Sequence, residues 1–188
     1  MEENASMRRL IVSNLMSLDG FFEDANKKID WFVVDEEFLD YAREMLRSVD
    51  TILFGRATYE HMAAYWPSAP PDEIADKMNS LPKVVVSRTL RKVDWKNSTL
   101  LHGNLAEGIA KLKQLPGKDI VILGSAVLAS CLLQVRLIDE YRVILNPVLL
   151  GSGTPLFRDI SQSISLKLTK SRLMRSGVIV LYYQKSES

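Results

Sequence analysis

Thr51-Ile52-Leu53-Phe54-Gly55-Arg56 is the stretch on which the fold turns. Apolar and β-branched residues follow one another without alternation until a glycine stops them. An unbroken run of this length suits a strand covered on both faces, because neither side is left to water. The segment that follows, Arg56 to Ala64, reads as a helix. The same phrase returns at Asp119-Ile120-Val121-Ile122-Leu123, stopped by Gly124 and followed by Ser125 to Gln134. That second helical segment is apolar nearly all round and is expected to be buried. Strand, glycine and helix, used twice, predict an α/β domain with a largely parallel sheet.

The flanking sequence extends the pattern. Arg8 to Met16 reads as a first strand, ended by the turn signal Asp19-Gly20. Glu23 to Asp30 reads as a polar loop that runs into Trp31. Asp35 stands where a helix N-cap belongs, and Phe38, Ala42, Met45 and Val49 then recur on one helical face. Pro67, Pro70 and Pro71 interrupt the chain before a short helix over Asp72 to Ser80. Lys83 to Ser87 is a β-branched strand, and Leu105, Ile109 and Leu112 mark a helix that Pro116-Gly117 ends. Tyr141 to Leu145 is a further strand. Ile164 to Arg172 alternates apolar and polar residues, which predicts a strand with one wet face. Val178 to Tyr183 is its antiparallel partner in a C-terminal hairpin. No repeat or linker divides the chain, so residues 1–188 read as one domain with a frayed start at 1–7.

Composition narrows the function classes. Of 188 residues, 47% are hydrophobic and 25% charged, which is the balance of a globular domain rather than a disordered or fibrous chain. Lys plus Arg number 24 against 23 Asp plus Glu, and a net charge of +1 speaks against a nucleic-acid binder. Cys131 is the single cysteine and His61 and His102 lie far apart, so a zinc site lacks material and no metal is expected. No apolar run reaches the length of a membrane span and no signal-peptide core follows Met1, so the expected compartment is the cytoplasm.

The two glycine junctions carry the chemistry. Each exposes backbone N–H groups at the positive end of a helix, which is an anion site suited to phosphate. Glycine also simply permits close packing of strand against helix, and that reading stays open for each junction alone. Arg56 and Thr58 extend the first junction with a guanidinium and a hydroxyl. Ser87-Arg88-Thr89 repeats the arrangement after the next strand, suited to a second phosphate such as a ribose 2′-phosphate. Neither the G-x-G-x-x-G fingerprint nor a Walker A pattern is present.

Taken in order, the segments resemble the dihydrofolate reductase superfamily, on the branch of the riboflavin-biosynthesis reductase domain (RibD C-terminal domain) in a stand-alone form. The matching stretches are Ser17-Leu18-Asp19-Gly20, Gly55-Arg56-Ala57-Thr58-Tyr59, Val86-Ser87-Arg88-Thr89-Leu90 and Leu123-Gly124-Ser125-Ala126. They continue through Leu137-Ile138-Asp139-Glu140-Tyr141 to Pro147-Val148-Leu149-Leu150-Gly151-Ser152-Gly153. Many relatives have a Gly-Gly pair before the last helix, where this chain has Leu123-Gly124. The resemblance implies a three-layer α/β sandwich and NADPH as cofactor. It would place Gly55, Arg56 and Thr58 on the phosphates and Ser87 and Arg88 on the 2′-phosphate. Gly124, Ser125, Ala126 and Val127 would meet the pyrophosphate and nicotinamide side.

By the same likeness, hydride passes to a small heterocyclic substrate, with Asp19 orienting it or relaying a proton. The family prototype reduces a ribosylamino pyrimidine, 5-amino-6-(5-phosphoribosylamino)uracil. A dihydrofolate or pterin reductase and a non-catalytic NADPH-binding dimer are the alternatives. Asp35 and Glu36, shortly after Trp31, are further carboxylate candidates, and Asp35 is equally a plain N-cap. Trp31, Tyr59 and Trp66 are candidate stacking surfaces for a flat ring, and Gly151 a candidate substrate-loop residue. The deaminase domain that often accompanies such reductases needs a cysteine set this chain lacks, so it is expected on a separate protein. A homodimer is expected, with Ile144 to Leu150 and the C-terminal hairpin as its surfaces.

Overall fold

A computed structural model describes residues 7–158, 160 and 162–186. Apart from Met7, the stretch read as a frayed start lies outside these. The chain order is β1 (Leu10–Ser17), β2 (Phe21–Asp24), α1 (Glu36–Ser48), β3 (Val49–Gly55), α2 (Arg56–Tyr65), α3 (Glu73–Ser80), β4 (Lys83–Val86) and β5 (Ser98–Leu101). It continues through α4 (Leu105–Gln114), β6 (Asp119–Leu123), α5 (Ala126–Gln134), β7 (Glu140–Asn146), β8 (Gly153–Pro155), β9 (Leu166–Leu173) and β10 (Ile179–Lys185). Eight strands form one sheet in the order β5-β4-β3-β6-β1-β7-β10-β9. The pairings from β5 to β7 are parallel, and β10 and β9 extend the sheet antiparallel. β2 and β8 form a separate two-stranded antiparallel ribbon.

The apolar runs explain the layering. Ile52 and Phe54 point into one core with Tyr41 and Met45 of α1, Tyr59 of α2 and Ile74 and Met78 of α3. Leu53, between them, points into the opposite core with Ile109 of α4 and Leu128, Ala129 and Leu132 of α5. Successive residues of one strand therefore feed two cores, which is why β3 and β6 cannot alternate with polar residues. The result is the three-layer α/β sandwich that the resemblance implies. Asp35 and Asp72 cap α1 and α3, their carboxylates accepting from the amides of Phe38 and Ala75 at 2.8 and 2.7 Å.

Several expectations are corrected. The stretch read as a loop from Glu23 begins inside β2, and β5 and β8 lie outside the strands the sequence pattern marks. These strands are short and mostly half-buried, so they lack the apolar run that identifies β3. α5 is not buried all round: Val127 and Cys131 face solvent. Ser125 precedes that helix with left-handed backbone, φ +58°, rather than belonging to it. The alternation along β9 predicts one dry face, yet nearly every residue of this strand is exposed. The alternation is real, but β9 is an edge strand of the sheet, and Leu166, Leu168 and Leu173 are left exposed on it.

Candidate functional site

Parallel strands put their carboxyl ends on one edge of the sheet. Gly55, Ser87, Gly124 and Ser17 all stand there, at or just beyond the ends of β3, β4, β6 and β1. Between β3 and β6 the chain departs in opposite directions along the sheet. A crevice at that switch point is where open α/β sheets hold ligands.

The two glycine junctions meet across this crevice. The Gly55 amide donates to Ser125 Oγ at 2.8 Å, and the Thr58 hydroxyl donates to the same oxygen at 3.1 Å. One buried hydroxyl thus ties the start of α2 to the start of α5. A side chain at position 55 would put its Cβ 2.4 Å from Ser125 Oγ. Gly124 has φ +69°, and a Cβ there would meet Thr58 Cγ2 at 3.0 Å and Phe22 Cζ at 3.6 Å. Glycine at each junction therefore lets the two walls of the crevice close on one another. Ser125 caps α5 with no side-chain bond, so the first amides of that helix remain available to a ligand. Ala126 is buried there and Val127 exposed. Arg56 is exposed at the rim and lies 3.7 Å from Glu60, a loose pair that an incoming anion can replace.

Ser87 is buried and builds the second turn. Its Oγ accepts from the amides of Thr89 and Leu90 at 3.1 and 2.9 Å, holding the loop that presents the exposed Arg88. His102, just beyond β5, reaches the same turn, its Nδ1 2.9 Å from the Ser87 carbonyl oxygen. Sequence reading alone gives no place at this site to His102 or Phe22. Each is brought in by a short strand that the pattern does not reveal.

Asp19 is exposed and is heavily used. Ser17 Oγ donates to it at 2.6 Å, and the amides of Leu150 and Gly151 donate at 3.1 and 2.7 Å. The bond from Ser17, followed by those of the two amides, holds the carboxyl below the usual carboxylate range. Asp19 thereby clasps the turn after β1 to the loop after β7, and Gly151 belongs to that clasp.

The candidate stacking residues and the second carboxylate are placed differently. Tyr59 is buried, its hydroxyl accepting from the Trp95 amide at 3.1 Å, and its ring packs in the core. Trp66 packs against Tyr65 and the α1–α3 core, with Nε1 donating to Met62 Sδ at 3.2 Å. Trp31 Nε1 donates to the Lys28 carbonyl at 3.3 Å. Glu36 is exposed in the first turn of α1, 3.8 Å from Arg43, and none of its bonds reaches the glycine junctions. Asp35 is occupied as the cap.

Among the described residues no cluster of His, Cys, Asp and Glu is placed to hold a metal ion. No helix among them is long and apolar enough to cross a membrane.

Known proteins share this fold. Residues 8–180 match the family described as the RibD C-terminal domain. A Bacillus subtilis protein of uncharacterised function, YyaP, is 37% identical over 97% of this chain and 98% of its own length. Among solved structures, a candidate riboflavin biosynthesis protein from Shewanella sp. PV-4 superposes with a TM-score of 0.76 and 26% identity, covering 95% of this chain and 99% of that one. Dihydrofolate reductase from Enterococcus faecalis, complexed with NADP(H), gives 0.66 at 17% identity, covering 95% and 97%. The last likeness is one of fold.

Proposed function

The chain belongs to the RibD C-terminal domain family, and from that premise we propose that it is an NADPH-dependent reductase that delivers hydride to a small heterocyclic substrate. The reaction resembles the reduction of 5-amino-6-(5-phosphoribosylamino)uracil. The observation that carries the proposal is the convergence of the two glycine junctions on Ser125 Oγ. It brings two strand ends and the N-terminus of α5 together at one crevice, and Arg56 and Arg88, which follow the ends of β3 and β4, are exposed.

The residues suit the cofactor. Gly55, Arg56 and Thr58 line the phosphate side, Ser87 and Arg88 the ribose phosphate, and Gly124 with the α5 amides of Ala126 and Val127 the pyrophosphate. When bound, the nicotinamide supplies the hydride. Ser125 fixes the distance between the two junctions and leaves the ligand to the flanking amides. Asp19 acts as a positioning residue. Three donors engage its carboxylate and it holds its proton weakly, so it sets the Leu150–Gly151 loop over the substrate and does not act as an acid.

NADPH oxidation in the presence of the ribosylamino pyrimidine, with dihydrofolate as the competing substrate, tests the reading. Turnover of the pyrimidine supports it. Turnover of dihydrofolate alone moves the enzyme to the pterin class. Tight NADPH binding with neither substrate consumed leaves a binding protein. In the Asp19→Asn variant, KM should rise about tenfold with a smaller change in kcat, the signature of lost substrate positioning.

We also propose a cytoplasmic homodimer paired through the uncovered face of the hairpin. Leu166, Leu168 and Leu173 are exposed on β9, and Leu149 lies exposed beyond β7. An apolar face of this kind fits a second copy of the same chain. Sedimentation should show a dimer, and Leu168→Asp a monomer.

A further inference from the structure

Tyr59, Ala63 and Pro67 recur at i and i+4 along α2 and the turn after it, with Ala64 in the neighbouring row. These side chains form one wall of a cavity, and the linker from β4 to β5, through Leu90 and Trp95, forms the other. Two of the helical positions are alanine, so helix and linker do not close on each other. The space left between them is about 570 Å³ and opens to solvent. That is the size of a small-molecule site. Ala63 lies about 12 Å along the helix from Gly55, so the cavity is set apart from the glycine junctions.

The buried side of the cavity is aromatic and held in place. The rings of Tyr59 and Trp95 have centroids 6.3 Å apart, and Trp95 also stacks on Phe54 at 6.0 Å. The polar atoms of both residues are already engaged. The Tyr59 hydroxyl accepts from the Trp95 amide, and Trp95 Nε1 donates to Asn79 Oδ1 at 2.8 Å. What remains for a ligand on this side is apolar ring surface. The charges at the rim pair off, with one exception. Glu60 faces Arg56 at 3.7 Å, and Asp94 faces Lys92 at 3.0 Å. Arg91 is exposed at the same rim and has no acidic partner among the described residues. Aromatic surface beside one uncommitted guanidinium complements a flat apolar body with a single negative charge.

We propose that this cavity is a second binding site, separate from the crevice, for a small aromatic carboxylate. The ring of the ligand lies against Tyr59, Trp95 and Leu90, and its carboxylate pairs with Arg91. Tyr59, a candidate stacking residue for the crevice by sequence, serves a flat ring at this second site instead. The proposal does not depend on NADPH binding at the crevice.

Calorimetric titration of the full chain with 2-naphthoate, and with uncharged 2-naphthamide as its counterpart, tests this. One naphthoate should bind per chain, and the amide about five-fold more weakly. Arg91→Gln should bring the acid down to the affinity of the amide. Ala64→Leu fills the cavity from an exposed helical position, and it should abolish binding of both probes without lowering the urea midpoint. Saturating NADPH should leave the naphthoate affinity essentially unchanged. An affinity that falls in proportion to added NADPH puts the probe in the crevice and overturns the proposal. So does binding that both variants leave intact, an amide that binds as well as the acid, or no binding at all. A dimer in sedimentation that Ala64→Leu dissociates would seat a second copy of the chain in the cavity, and the proposal would be wrong. Should NADPH itself fail to bind, the cofactor reading falls while this site, measured with the probe alone, stands.

Discussion

The two strand-glycine-helix junctions look alike in sequence and are built on opposite principles. At the first, Gly55 has an ordinary extended backbone, φ −81°, and must be glycine because Ser125 Oγ occupies the place of its side chain. At the second, Gly124 and Ser125 both hold left-handed backbone, φ +69° and +58°, and the need for glycine lies in the chain's own conformation. One junction is constrained by a neighbour and the other by itself. A shared glycine signal therefore hides two requirements, and they separate under mutation.

The largest effect is expected at Gly124→Ala. A left-handed alanine costs about 1–2 kcal/mol, and crowding against Thr58 brings the loss to about 3 kcal/mol. Urea unfolding should show a lower midpoint, and NADPH binding should be lost with it. Gly55→Ala should cost about 2 kcal/mol through its clash with Ser125 Oγ. Here the contrast becomes sharp: adding Ser125→Gly removes the clashing atom and should restore most of the stability. The same second change should do nothing for Gly124→Ala. If Ser125→Gly rescues both or neither, the distinction between the junctions is wrong.

Ser125→Ala alone is the next step down, at about 1 kcal/mol, because the Gly55 amide and the Thr58 hydroxyl lose their common acceptor. Smallest is the response of Asp19 to acid. Its folded-state proton affinity is depressed, so the clasp is intact above the ordinary carboxylate range near pH 4 and loosens only as pH falls below it. A pH profile of kcat/KM should accordingly show no ionisation from Asp19 between about pH 5 and 8. If Asp19→Asn removes an ionisation in that range, Asp19 is a proton donor after all.

The sequence exposes what is local and repetitive. β3 and β6 can be read because each feeds two cores, and α1 and α3 because an aspartate caps each of them. What escapes depends on distant partners. β2 is a strand only because Phe21 to Asp24 meets Gly153 to Pro155. His102 reaches Ser87 only because β5 lies beside β4. The rings of Tyr59 and Trp66 suggest a place at the crevice, whereas the helical layer puts Tyr59 in the core and packs the half-buried Trp66 against it. The junction residues emerge from motif order, but the hydroxyl of Ser125 becomes the tie between them only when both strands are set side by side.

The sheet order also bears on how the chain comes to be folded. β1 lies between β6 and β7, with Leu10 opposite Ile120 and Ile11 opposite Glu140. β1 is synthesised before both of these partners and must wait through more than a hundred residues before β6 exists. β3, β4 and β5 can pair early, since each follows the last closely in sequence. Pairings of such long range are slow to form and leave an apolar strand unprotected meanwhile. Leu10-Ile11-Val12 is therefore the apolar stretch of this sheet that stays longest without either neighbour.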